Sequence, residues 1–213
     1  MAQKIAVIDY GMGNLRSVSK AVEHVAPGAQ VRVTDDPGYI AAADRVVFPG
    51  QGAARDCMRA IGNHHLNAAI VGAAESKPFL GICMGLQVLM TRSDENGGTK
   101  LLGLFVGDVR RFEGLPPGDN GLPLKVPHMG WSPVRQVRPH PLWEGIADHS
   151  RFYFVHSYRV VPEDVTLIAG TTDYGVRFTA AIARDNLFAT QFHPEKSADA
   201  GLKLLENFVN WDT

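Results

Sequence analysis

The 213-residue sequence predicts an α/β fold: an open, mostly parallel sheet with helices on both faces and a β-rich extension in the second half. Three observations carry this. Through the first hundred residues short apolar runs alternate with helix-like stretches, the order of parallel strands joined by crossover helices. From about residue 101 the period shifts towards two, the signature of strands with one buried face. A last segment returns to helical spacing.

The elements follow in order. "KIAVIDY" reads as the first strand, "NLRSVSKAVEHV" as a helix, "QVRVTD" and "RVVFPG" as strands, "ARDCMRAIGNHHLNAAIVGAAES" as helical, and "KPFLGI" as the fourth strand. The extension runs through "GDVRRF", "SPVRQV", "RFYFVHSYRVV", "TLIAGTTD", "TAAIARDN" and "LFATQF". In "SADAGLKLLENFVNW", Leu202, Leu205, Phe208 and Val209 share a helix face behind Ser197 as a cap, so this helix is expected to pack on the sheet. One long irregular stretch, "EGLPPGDNGLPLKVP", stands out, and such loops are often functional. No repeat or linker divides residues 1–213, and the length suits a single domain.

A net charge of -1, with no run of like charges, argues against a disordered chain or a general nucleic-acid binder. No apolar stretch approaches the ~20 residues needed to span a bilayer. The expectation is a soluble cytoplasmic protein with no membrane or nucleic-acid partner. Two cysteines, Cys57 and Cys83, suit a reducing compartment and exclude a disulfide scaffold or a four-cysteine zinc site. No metal or cofactor is expected.

Gly81-Ile82-Cys83-Met84-Gly85 has the spacing of a nucleophile elbow with sulfur in place of oxygen. Glycines there permit a sharp strand-to-helix turn, and a helix N-terminus favours thiolate. The competing reading is a buried, inert cysteine. Cys57, without flanking glycines, reads as core.

A nucleophilic thiol needs a base. His64 and His65 sit on an expected helix, His24 and His149 lie among polar residues, and His140 precedes Pro141 in a turn; all read as solvated surface. In "FATQFHPEKS", His193 ends an apolar strand and Glu195 lies two positions on, on the same side of an extended chain. Glu195 can therefore orient His193 as a carboxylate orients the base of a triad; the alternative is a pair kept for stability. In "VVFPGQGA", the Gly50-Gln51-Gly52 turn can supply a backbone N–H to an oxyanion, beside that of Met84. By itself it is equally an ordinary turn.

Together "PGQG", "GICMGLQ" and "HPE" resemble the class I (triad) glutamine amidotransferases, over nearly the whole chain. "KVPHMGW" and "YFVHSY" narrow the likeness to the glutaminase-subunit family of imidazole glycerol phosphate synthase. The resemblance implies Cys83 as nucleophile, His193 as general base and acid, and Glu195 as its orienting carboxylate. It implies Met84 and Gln51 at the oxyanion hole, and Gly52, Gln87, Glu95, His156, Ser157 and Tyr158 around glutamine. It also implies a (β/α)₈-barrel synthase subunit (HisF) as partner in a 1:1 heterodimer. That subunit would meet Asn14, Ser17, His128, Met129, Trp131 and Lys196, receive the ammonia, and make imidazole glycerol phosphate and an aminoimidazole carboxamide ribotide in histidine biosynthesis.

Gln51 stands where the family more often has an apolar residue, Ala54 where an aromatic is common, and Ser132 where asparagine is usual. These departures bear on how the oxyanion turn and one edge of the interface are held. Two other readings stay open: a related triad amidotransferase or γ-glutamyl hydrolase, and a nucleotide-binding or regulatory α/β module with a structural cysteine. Against the latter, the G-x-G of Gly11 and Gly13 lacks a third glycine, because Arg16 stands there.

Overall fold

In the first strand, β1 (Lys4–Ile8), side chains alternate between two apolar cores: Ile5 and Val7 pack in one, Ala6 and Ile8 in the other. A strand buried on both faces needs cover on both, and the helices supply it. In this computed structural model, which describes residues 2–118 and 121–213, α1 (Leu15–Val25) lies on one face. Strand β2 (Gln30–Thr34), α2 (Pro37–Ala42), β3 (Arg45–Gly50), α3 (Ala54–Asn63), α4 (Asn67–Ser76), β4 (Phe79–Cys83) and α5 (Met84–Gln87) follow. Ile40, Ile61 and Ile70, from α2, α3 and α4, fill the second core.

The expected long helix over 54–76 is two helices. His65 adopts φ 55° between them, and His64 turns out to meet Asp35 at 3.2 Å. Its neighbour Leu66 is fully buried, so the chain breaks the helix to bury it.

The extension comprises β5 (Arg92–Ser93), β6 (Thr99–Lys100), β7 (Gly107–Arg111), β8 (His128–Pro133), β9 (Arg135–Gln136), β10 (Arg151–His156), β11 (Tyr158–Pro162), β12 (Ile168–Tyr174), β13 (Val176–Arg184) and β14 (Leu187–Thr190), before α6 (Ala198–Asn210). Asp119 and Asn120, in the expected loop, lie outside the described residues. The central sheet runs β2-β1-β3-β4-β14-β13-β12-β9, parallel from β2 to β14 and antiparallel beyond. Strands β10 and β8 form a hairpin-like pair, and β11-β7-β5-β6 a small sheet.

Helix α6 packs on α1's face through Leu204, Leu205 and Phe208, with Leu202 only half-buried. Its expected cap fails. Ser197 makes no cap hydrogen bond; its hydroxyl donates to the His193 carbonyl at 2.6 Å and accepts from the Tyr153 amide at 3.0 Å. Ser197 fastens a loop to β10. No helix of the described residues is long and apolar enough to cross a membrane.

Candidate active site

Strand order brings distant motifs together. β4 lies between β3 and β14, with Gly50 opposite Cys83 and Thr190 opposite Ile82. The Gly50-Gln51-Gly52 turn, the Cys83 elbow and the segment from Gln191 to Glu195 therefore emerge side by side at the carboxyl end of the parallel sheet. Crevices at that edge are where open α/β sheets bind ligands.

At the elbow Cys83 takes φ 55°, ψ -103°, a conformation that costs on the order of 1–3 kcal/mol for a residue with a side chain. Packing enforces it. A Cβ at Gly85 would stand 1.8 Å from the Phe48 carbonyl, and one at Gly50 2.1 Å from the Tyr10 hydroxyl. The helix that follows is a single turn, so the expected dipole stabilisation of a thiolate is small. A side-chain donor is also present: Gln191 Nε2 lies 3.6 Å from Cys83 Sγ.

His193 is held at its backbone by Tyr153 and Ser197 and at Nδ1 by Glu195 Oε1, 2.8 Å away. The two side chains are 2% and 1% exposed. Because a carboxylate can only accept, Nδ1 carries the proton. Among the described residues Nε2 has no well-aligned hydrogen bond. Burial pulls the imidazole's pKa down, but the charge of the nearby Cys83 sulfur and the charge and hydrogen bond of Glu195 outweigh it, and the value rises to about 10.

Cys83 opens on a cavity of about 440 Å³. Gln51, Gly52, Met84, Gln87, Glu95, His156, Ser157 and Tyr158 all line it, as does Lys196. Three further lining residues, Pro127, Tyr153 and Val155, lie within "KVPHMGW" and "YFVHSY" but were not singled out from the sequence. Glu95 is anchored: its carboxylate accepts the Ala54 amide at 2.6 Å, capping α3 where Ala53 has no side chain to do so.

His156 does less than expected. Its Nδ1–H donates to the Tyr158 carbonyl at 2.7 Å, and Nε2 accepts from His128 Nδ1 at 3.1 Å; His128 Nε2 in turn accepts from Ser132 Oγ at 2.9 Å. Both rings are neutral, because burial lowers His156 to about 3 and His128 to about 4. Both nitrogens of His156 are spent within the protein, which leaves ligand only its ring edge and backbone.

The His128 side chain is therefore turned into the chain rather than onto the surface where it was expected. Strand parity explains it: in β8, His128 and Ser132 point inward, while Met129 and Trp131 are 63% and 42% exposed. Asn14 and Ser17 are half-buried, with Asn14 Oδ1 capping α1 through the Ser17 amide at 3.4 Å. His140, expected on the surface, is half-buried, accepts the Leu142 amide at 3.1 Å, and is lowered to about 4 by burial and Arg138. Cys57 is core as expected: buried, raised to about 11 by desolvation, its thiol donating to the Gln51 carbonyl at 3.5 Å.

Residues 6–211 match the family model described as glutamine amidotransferase class-I. The chain belongs to the class-I glutamine amidotransferases. A protein of Dechloromonas aromatica named imidazole glycerol phosphate synthase subunit HisH is 62% identical to this amidotransferase over 98% of the chain and 97% of its own length. One of the same name from Thiobacillus denitrificans is 62% identical over 100% and 93%. Among solved structures, PurLQS from Thermotoga maritima superposes with TM-score 0.69 at 18% identity, covering 99% of each chain. A glutamine amidotransferase of the same organism gives 0.61 at 17%, covering 99% of this chain and 84% of its own. At that identity these two structures speak to the amidotransferase fold alone.

Proposed function

We propose that this chain is the glutaminase subunit of an imidazole glycerol phosphate synthase, acting in histidine biosynthesis as one amidotransferase unit over residues 1–213, in the cytoplasm. The observation that carries the chemistry is a strained cysteine opening on a cavity beside a buried histidine whose Nδ1 is held by a carboxylate. Relatives at 62% identity that bear the subunit's name support the pathway.

His193 Nε2 takes the Cys83 proton, giving a thiolate and an imidazolium that Glu195 stabilises. Sulfur attacks the side-chain amide carbon of glutamine. The carbonyl becomes an oxyanion, stabilised by the backbone N–H groups of Met84 and Gln51, each contributing roughly 10²–10³ in rate when well aimed. His193 then protonates the amide nitrogen, the C–N bond breaks, and ammonia leaves a γ-glutamyl thioester. A water deprotonated by His193 attacks that thioester, the C–S bond breaks, and glutamate departs with the thiolate restored. No cofactor is needed.

Gly52, Gln87, Glu95, Ser157 and Tyr158 surround the amino acid, with His156 supporting the rim. Asn14, Ser17, Met129, Trp131 and Lys196 form the face towards a (β/α)₈-barrel synthase subunit, HisF, in a 1:1 heterodimer. The test is to mix the chain with that partner, then follow synthase turnover on glutamine and on ammonium. Cys83→Ser is expected to abolish the first and spare the second. Loss of both, or of neither, overturns the assignment.

A further inference from the structure

Beneath the cavity floor a line of hydrogen bonds has a direction that can be worked out from one atom. The Tyr158 carbonyl can only accept. Gln87 Nε2, 3.3 Å from it, must therefore be the donating end of that amide. The same nitrogen lies 3.1 Å from the Gln191 side chain, which must present its oxygen, Oε1. That leaves Gln191 Nε2 directed at Cys83 Sγ, 3.6 Å away. Flipping either amide would set two donors or two acceptors against each other. Gln191 is fully buried on the chain just past β14, and its backbone amide is fixed to the Ala180 carbonyl at 2.8 Å. An amide N–H locked onto sulfur favours the charged thiolate over the neutral thiol.

We propose that Gln191 is a further functional residue of this site: its oriented side-chain N–H holds the Cys83 sulfur in place and stabilises it as thiolate before substrate arrives. This rests on Cys83 being the nucleophile. It supplies what the one-turn helix α5 cannot. The titratable groups around Cys83 are His193 with Glu195 behind it, Tyr10 beyond the end of β1, and Cys57 from α3, with Glu95, Tyr153, His156, Tyr158 and Lys196 lining the same cavity. Gln191 is uncharged, so its replacement by methionine changes none of those charges.

The test follows the rate of Cys83 alkylation by iodoacetamide against pH, on the full chain alone and with its synthase partner. Peptide mapping separates Cys83 from Cys57, and circular dichroism checks folding. Gln191→Met removes the donor at similar volume; Gln191→Glu replaces it with an acceptor. The alkylation midpoint is expected to rise by about one unit in Gln191→Met, roughly a tenfold loss of thiolate at low pH, and further in Gln191→Glu. A folded Gln191→Met chain with an unmoved midpoint overturns the proposal.

If neither variant folds, wild-type chain labelled with ¹⁵N at glutamine side chains decides. A glutamine side-chain amide signal titrating with the alkylation midpoint supports the proposal, and the absence of any such signal overturns it. Cys83→Ala is run in parallel on glutamine. If it is inactive, an unmoved midpoint counts against Gln191 alone; if it still hydrolyses glutamine, the nucleophile assignment falls and this proposal with it.

Discussion

Two buried side-chain pairs built on histidine sit near the cavity and behave in opposite ways. His193 faces Glu195 and is raised to about 10; His156 faces His128 and the two are lowered to about 3 and 4. Burial lowers all three. The difference lies in what else was buried with them: a carboxylate and a thiol in one case, a second imidazole, a hydroxyl and a peptide carbonyl in the other. The first arrangement makes a group that can hold and return a proton. The second makes a neutral strut whose every donor meets an acceptor, which holds the Tyr158 carbonyl in place.

The largest test of this contrast is Glu195→Gln. It should turn the first pair into something like the second, removing the anion and permitting the wrong tautomer. Glutamine-dependent kcat is expected to fall roughly 10⁴-fold, as when the carboxylate of a serine-protease triad is made an amide, with ammonium-dependent synthase turnover unchanged. Steady-state kinetics on the two nitrogen sources measures it.

The strut should fail in acid. The unfolded chain takes up protons on histidine near pH 6.5, whereas folded His128 and His140 do so only near 4 and His156 near 3. Stability from these groups is therefore complete above about pH 6.5 and is lost as pH falls through that window. At pH 5 the loss is about 2 kcal/mol for each, an upper figure. Urea midpoints taken from pH 7 to 4.5 should fall steeply, and less steeply in His128→Gln; parallel curves would separate the lowered values from stability.

The smallest effect sharpens the role of burial. His64 and Asp35 are also a histidine–carboxylate pair, at 3.2 Å, but 38% and 61% exposed. Asp35→Asn should change stability by no more than about 0.5 kcal/mol by urea titration and leave glutamine turnover untouched.

The triad motifs were legible in the sequence because each needs a rare local pattern: glycines about Cys83, proline between His193 and Glu195. So was the change from parallel sheet to period-two strands. Gln191 was not, since an amide in "FATQFHPEKS" shows no motif and its worth depends on Gln87, a hundred residues away. His128 was expected at an exposed face, and the parity of β8, a strand the sequence reading did not place there, turns its side chain inward. The break at His64 and His65 escaped notice because helical spacing continues on both sides of it. Ser197 looked like a cap, and only its contact with β10 shows that its hydroxyl is used elsewhere.

The glycines of the elbow bear on redesign. At Gly50, Gly81 and Gly85 any side chain would meet an atom of Tyr10, Gly85 or Phe48 at less than 3 Å, two of these being peptide oxygens. Directed libraries aimed at other amide substrates should leave those three positions untouched. Variation belongs at Val155 and the side chain of Gln51, which line the cavity. The site thus sets three glycines that leave no room for a side chain beside a cavity lining whose side chains have space to vary.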